Sequence, residues 1–331
     1  MLQIIRTAAV VGAGYMGGGI AQSLADAGFQ VVIADVSADA AVAARERLIA
    51  ESEQFERQGL LTPGAAGRVR DNLSVGASIE QAVADVDFVE EAVPEEPAIK
   101  HDVLARISAA CRPDTIIGSN TSTLPVATLA PAVVGPERFL TVHWSNPAPF
   151  VPGIEIVAGA ATDPAIVPVV KDMLERAGRS GAQVADTPGF VLNRLQYVLL
   201  KEAMNIVEEG IAAPEDVDTI VSTTFGFRLA FFGPFQIADM AGLDVYANCF
   251  ATFEKAFGER FALPGILARA VGEGRHGVKN GKGLTADYTE EQVLDLVAYR
   301  SEAYSRLVQL VRELGPSPIH REPVPLVGPT S

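Results

Sequence analysis

Cysteine is nearly absent from this chain: Cys111 and Cys249 are the only two in 331 residues. Two such thiols build no disulfide framework and offer no metal-ligand spacing, so no metal is assigned and a reducing, cytoplasmic setting is expected. Basic residues are also short. Twenty-six Lys and Arg against 41 Asp and Glu leave a formal charge of −15, which argues against nucleic acid or an anionic membrane as partner. No apolar run approaches the length of a membrane span, and the N-terminus enters a strand-like segment with no signal-type h-region. What the chain does have is apolar bulk. Hydrophobic residues make up 48%, and the length is too great for one small core, so two domains are expected.

The first half alternates strand and helix signals. The apolar run Ala8–Val11 ends at Gly12-Ala13-Gly14-Tyr15-Met16-Gly17, a helical stretch follows from Gly18 to Ala27, and Phe29–Asp35 reads as a strand closed by an acid. A G-x-G-x-x-G between a strand and a helix, with an acid at the end of the next strand, has a specific physical reading. Gly12 permits a tight turn, Gly14 lets backbone approach a pyrophosphate, and Gly17 allows close helix–strand packing. The helix N-terminus supplies N–H groups to the phosphates. Asp35 would accept the ribose hydroxyls and repel a 2′-phosphate, which selects NAD over NADP. Residues 38–58 and 63–69 form a helical excursion. Strands are expected at 87–93, 115–118, 139–143, 154–157 and near 183–184, with helices at 97–110 and 164–177. This alternation specifies a doubly wound, mostly parallel Rossmann-type sheet. Its ligand rim lies beyond the strand C-termini and gathers Glu91–Glu95, Ser119–Ser122 and His143.

Between the halves stands His143-Trp144-Ser145-Asn146-Pro147, followed by a second apolar stretch carrying Glu155. If the Pro-rich turn folds the chain back, Glu155 reaches the His143 ring. A carboxylate on one ring nitrogen fixes the tautomer and leaves the other free to exchange a proton. Read alone, the window fits equally a surface histidine and an unrelated strand-edge acid. Beyond Asp186-Thr187-Pro188-Gly189, apolar positions 191, 195, 198, 199, 206 and 207 form one helix stripe that ends at Gly210 and suits a buried or subunit-contacting helix. Further Gly and Pro punctuation marks more helices. The expected division is a NAD-binding Rossmann domain over 1–186, an all-helical substrate and dimerisation domain over 187–314, and a Pro-rich tail over 315–331.

The order and spacing of these motifs resemble the L-3-hydroxyacyl-CoA dehydrogenase superfamily over residues 8 to about 285. Gly12–Gly17 resembles its cofactor loop, and Glu91-Ala-Val-Pro-Glu95 with Lys100 its contacts to the nicotinamide-side ribose. Ser119-Asn-Thr-Ser122 is similar to the segment whose last serine touches cofactor and substrate, and His143 with Glu155 to the family's His–Glu dyad. Lys279 matches a C-terminal lysine that reaches back to the cofactor. The resemblance implies oxidation of a substrate hydroxyl by NAD, with His143 as base oriented by Glu155. Ser122 and Asn193 would bind the substrate oxygen, and Asn146 would hold the dyad or the carboxamide. It also implies a homodimer. Singly, Asn193 could be a first-turn helix residue, Ser122 a helix cap and Asn146 the residue before a proline.

The chain departs from the acyl-CoA pattern in two places. Where that pattern has cationic and hydroxyl contacts for CoA phosphates, residues 48–58 carry Glu51, Glu53 and Glu56 against Arg57. Three acids would hold phosphate poorly. The loop Gly226–Pro234 is longer than usual and resembles the branch that contains gulonate dehydrogenase, lambda-crystallin, carnitine dehydrogenase and a pyridine-carboxylate dehydrogenase. There Arg228 could clamp a substrate carboxylate bidentately, or be a surface arginine. The leading expectation is thus a small hydroxylated carboxylate free of CoA. The alternatives are a 3-hydroxybutyryl-CoA type thioester substrate and a non-catalytic, crystallin-like or sensor protein. Lys201-x-x-x-Asn205 resembles the catalytic pair of lysine-type β-hydroxyacid dehydrogenases, but Leu195–Leu200 replace the glycines expected before it, which reads as a helix surface.

Overall fold

A computed structural model describes residues 4–315 and 317. The expected Pro-rich tail therefore lies, Gly315 and Ser317 apart, outside the described residues. The chain separates into two compact units that divide between Leu199 and Leu200.

The first unit is built on β1 (Thr7–Val11), β2 (Gln30–Ala34), β3 (Leu73–Val75), β4 (Phe88–Glu91), β5 (Ile116–Ser119), β6 (Phe139–Trp144), β7 (Gly153–Ala158) and β8 (Ser180–Ala185). They form one sheet in the order β3-β2-β1-β4-β5-β6-β7-β8. Every neighbouring pair is parallel except β6 and β7, which run antiparallel. Between the strands run α1 (Tyr15–Asp26), α2 (Ala38–Arg57), α3 (Ala65–Asn72), α4 (Ile79–Val83), α5 (Pro97–Ala110), α6 (Val126–Leu129) and α7 (Ile166–Arg176).

The central strands are short and apolar on both faces because helices cover both faces. On one side Val10, Phe88, Leu140 and Val142 pack with Ile20 and Leu24 of α1, Leu48 of α2 and Met173 of α7. On the other, Ala9, Val89, Ile117 and Phe139 meet Val83 of α4, Leu104 and Ile107 of α5 and Leu129 of α6. This is the doubly wound sheet expected, with its strand order reversing between β1 and β4, where such sheets open a ligand crevice. The helix over 97–110 stands where its signals put it, and α1 opens at Tyr15 rather than Gly18. β3 and α4 were not foreseen, being too short to show a period.

The helix α8 (Leu192–Glu208) starts in the first unit and runs into the second, which also holds α9 (Pro214–Thr223), α10 (Phe225–Leu229), α11 (Pro234–Ala241), α12 (Leu243–Phe257), α13 (Gly265–Gly272) and α14 (Glu290–Leu314). Its core gathers Leu243, Leu267 and Ala270 against Tyr246, Phe250 and Leu284. The buried carboxylate of Asp239 accepts the Leu284 N–H at 2.7 Å and the Tyr288 hydroxyl at 2.8 Å, which ties the 277–288 segment to α11. Burial and the Asp239 bond push the Tyr288 phenol up to about 12. Of the apolar stripe of α8, Val191, Leu195, Val198 and Leu199 are exposed among the described residues, whereas Ile206 and Val207 are half-buried.

Candidate active site

The glycine loop joins β1 to α1. Gly12 has φ +94°, and a Cβ there would lie 2.7 Å from the Ala92 carbonyl oxygen at the end of β4. A Cβ on Gly17 would collide with the Gly12 carbonyl oxygen, whereas the space over Gly14 is open. The steric demands at Gly12 and Gly17 and the open space at Gly14 are those the three glycines were expected to meet. A cleft of about 690 Å³ opens above them, lined by Gly12, Gly14, Met16, Asp35, Glu95 and Ser122 among others. Asp35 accepts the Ala13 N–H at 2.9 Å through one oxygen and the Val36 N–H at 2.7 Å through the other, which fixes its carboxylate at the cleft edge. Ala13 and Tyr15 complete the loop, with Tyr15 exposed at the first residue of α1. A dinucleotide fits this site: the open backbone at Gly14, the helix N-terminus and the acid stand in the order its pyrophosphate and ribose need.

At the far wall, Lys100 is 1% exposed, with Nζ 2.8 Å from Glu91 Oε1, 3.2 Å from the Val93 carbonyl and 3.4 Å from Glu95 Oε2. The second oxygen of Glu91 accepts the Ser119 hydroxyl at 2.5 Å. Lys100 is therefore turned into the wall as a strut beneath Glu95. Glu95 Oε1 accepts the hydroxyls of Thr121 and Thr123 and the N–H groups of Ser122 and Thr123. Burial raises the pKa of Glu95, but these bonds and the Lys100 charge outweigh it and hold the carboxyl below the usual range. The result is an ionised bracket for the 121–123 loop. Glu90, the next residue in β4, is fully buried and neither oxygen has a partner among the described residues. Burial first, and the Glu91 charge second, push its pKa well above the usual carboxylate range.

The expected His–Glu pair comes from the antiparallel pairing of β6 and β7. β6 and β7 pair with His143 directly opposite Glu155, and His143 Nδ1 lies 2.8 Å from Glu155 Oε2. Side chains alternate faces along a strand, so this register puts both on one side. The two residues are 5% and 8% exposed. Nε2 takes no hydrogen bond among the described residues. Glu155 Oε1 accepts the N–H groups of Val191 and Leu192, each at 2.9 Å, at the start of α8. Those two donors are aimed by Gly189 and Phe190, with φ of +74° and +48°. The buried Phe190 ring stands 5.8 Å from the His143 ring, centre to centre. Asn193 Nδ2 donates to the Ser122 carbonyl at 3.0 Å, bringing those two expected residues together.

Other expected residues stand elsewhere. Asn146 is exposed beside a cis Asn146–Pro147 peptide and makes no bond to His143 or Glu155, so its expected hold on the dyad is not realised. The turn is instead tied by Asn120, whose Oδ1 accepts the Trp144 N–H at 2.8 Å. Asn120 lines the cleft; it and Thr121 fall within the Ser119–Ser122 segment expected on the rim but carried no role of their own, and Thr123 and Phe190 were missed. In the second unit, Lys279 pairs with Asp244 at 2.8 Å, and Arg228 lies half-buried on α10. On α2, Glu51 pairs with Arg47, Glu53 with Arg70, and Glu56 accepts the Gly64 and Ala66 N–H groups. Each of the three acids expected to hold phosphate poorly thus has a partner of its own. Among the described residues no group of three His, Cys, Asp or Glu could hold a metal ion.

Comparison with known proteins bears on this arrangement. A family model described as 3-hydroxyacyl-CoA dehydrogenase, NAD binding domain, matches residues 7–187. The corresponding C-terminal domain matches residues 189–287. The 5-formyl-3-hydroxy-2-methylpyridine 4-carboxylate 5-dehydrogenase of Mesorhizobium japonicum is 38% identical over 300 residues, covering 90% of this chain and 96% of its own. A probable 3-hydroxybutyryl-CoA dehydrogenase of Bacillus subtilis is 34% identical over 87% of this chain and 99% of its own. A crystal structure of a 5-formyl-3-hydroxy-2-methylpyridine 4-carboxylic acid 5-dehydrogenase, described as an NAD+-dependent dismutase, aligns with a TM-score of 0.70 at 36% identity, over 94% of this chain and 99% of that one. With a fitting dinucleotide cleft beside a His–Glu dyad, the chain belongs to the 3-hydroxyacyl-CoA dehydrogenase family and is an NAD-dependent dehydrogenase acting on a CH–OH group.

Proposed function

We propose that this enzyme oxidises the hydroxyl of a small carboxylate that carries no CoA. NAD bound in the cleft supplies the hydride acceptor. His143 takes the hydroxyl proton at Nε2 while Nδ1 stays on Glu155, whose charge stabilises the imidazolium that forms. Ser122 and Asn193 hold the substrate oxygen, and the bond between them keeps both in place before substrate arrives. Gly12, Ala13, Gly14, Tyr15, Met16 and Gly17 carry the pyrophosphate, and Asp35 the adenosine ribose. Glu95, braced by Lys100, serves the second ribose, with Asn146 and Lys279 completing the cofactor contacts. Arg228 binds the substrate carboxylate as a planar fork.

The observation that carries the choice of substrate is on α2. Its Arg47 is already spent on Glu51, and Arg70 of α3 on Glu53, so this helix offers little net positive charge to CoA phosphates. Identity to a dehydrogenase named for a pyridine carboxylate supports the same reading. Identity to the probable 3-hydroxybutyryl-CoA dehydrogenase favours a thioester as the second reading. NADH formation at 340 nm, with free hydroxy acids and pyridine-carboxylate alcohols set against 3-hydroxybutyryl-CoA, separates them. Turnover of a free acid is expected, lost by about 10²–10⁴-fold in His143→Ala while NADH still binds. Turnover of the thioester alone overturns the reading. We further propose a cytoplasmic homodimer. No helix among the described residues is long and apolar enough to cross a membrane, and the bare stripe of α8 suits a second copy.

A further inference from the structure

Arg47 stands outside every role assigned so far. Its Nη2 donates to the Ala13 carbonyl at 2.9 Å, and its Nη1 is held by Glu51 at 3.0 Å. Ala13 is thereby gripped at both ends, since its N–H is bound by Asp35 at 2.9 Å. The two peptide planes flanking this residue carry the turn from Gly12 to Gly14, and they aim the N–H groups that open α1. The Ala13 carbonyl lies just ahead of the α1 ladder, whose Gly18 N–H bonds to the Gly14 carbonyl at 2.8 Å. The approach is close: a Cβ on Gly18 would lie 3.1 Å from Arg47 Nη2 and 3.1 Å from Leu48 Cδ2. A glycine there costs helix stability and is explained by the guanidinium that must pass it.

We infer that Arg47 is a cofactor-positioning residue, the end of a Glu51–Arg47–Ala13 brace that holds the pyrophosphate loop in its binding shape before NAD arrives. The brace gives Glu51 a task in cofactor binding and does not depend on which substrate is oxidised. A charged donor on a backbone carbonyl is stronger than a neutral one, and a preformed loop has less freedom to lose when the cofactor binds.

The test is substrate-free binding. NADH affinity is measured by calorimetry, and adenosine affinity by competition against NADH, for Arg47→Met, Arg47→Lys and Glu51→Gln, with the melting temperature of each. The brace predicts NADH weakened about tenfold in Arg47→Met. Adenosine, which lacks the pyrophosphate, should change less than about twofold, and Arg47→Lys should stay within about threefold of the parent. Glu51→Gln is the deciding variant. Loss of the brace weakens NADH, whereas loss of a nearby negative charge alone would tighten it. Tighter binding in Glu51→Gln, unchanged NADH affinity in Arg47→Met, or equal weakening of adenosine and NADH would each overturn the proposal. Because no substrate is present, failure here leaves the substrate assignment standing, and a wrong substrate assignment leaves this result readable.

Discussion

Glu90 shows what one residue can cost in the middle of a sheet. Its carboxyl is buried without a hydrogen-bond partner among the described residues, close enough to Gly118 that a Cβ there would lie 2.6 Å from Oε2. With its pKa raised in the folded chain, Glu90 stays protonated when the unfolded chain has already ionised. The sign follows from linkage: below the ordinary carboxylate pKa both states hold the proton, and stability falls as pH rises from there toward the folded value. Glu90→Met, which keeps the volume and removes the polar group, should therefore gain about 1–3 kcal/mol at pH 8. The gain should shrink toward pH 4, as read by urea melts across that range. A gain independent of pH would mean that packing alone is responsible. Residues of this kind were illegible in the sequence. An acid inside Phe88–Glu91 looks like a strand edge, and the burial of Glu90, Glu91 and Lys100 is decided by neighbours far along the chain.

At the scale of elements, what could be read was what spacing encodes. The glycine loop is legible because each glycine answers a backbone demand at a fixed offset. The dyad is legible through the resemblance rather than the window alone, and the antiparallel pairing of β6 and β7 across residues 145–152 sets His143 opposite Glu155. The second hold on Glu155 was not legible, since backbone N–H groups carry no sequence signature. Those two donors make Glu155 an anchor for α8 as well as an orienter of His143. Glu155→Gln keeps the shape, but its single carbonyl oxygen cannot serve both. It should lower kcat by about 10²-fold or more, with NADH affinity unchanged by calorimetry. A variant with normal kcat would show that the carboxylate is dispensable to the base.

For the whole molecule, the question is what covers α8. Its amphipathic pattern was read correctly as a stripe, but a stripe alone does not say whether it faces the chain's own core. Val191, Leu195, Val198 and Leu199 are exposed among the described residues, and a stripe of that size on a lone subunit invites aggregation. Leu195→Glu with Leu199→Glu should convert a dimer to a monomer in light scattering coupled to size exclusion. A parent protein that runs as a monomer would remove the proposed interface.

The hold of Glu155 on Val191 and Leu192 also bears on how the gene could be cut. The family's NAD-binding domain ends at residue 187, and the matched C-terminal domain begins at 189. Phe190, the two N–H donors and Asn193 all lie past that point. A fragment stopping there would retain every cleft-lining residue and still lack the two N–H groups that hold Glu155 against His143. Exchanging such modules between relatives therefore transfers the cleft lining in one parcel and parts His143 and Glu155 from the backbone that holds Glu155.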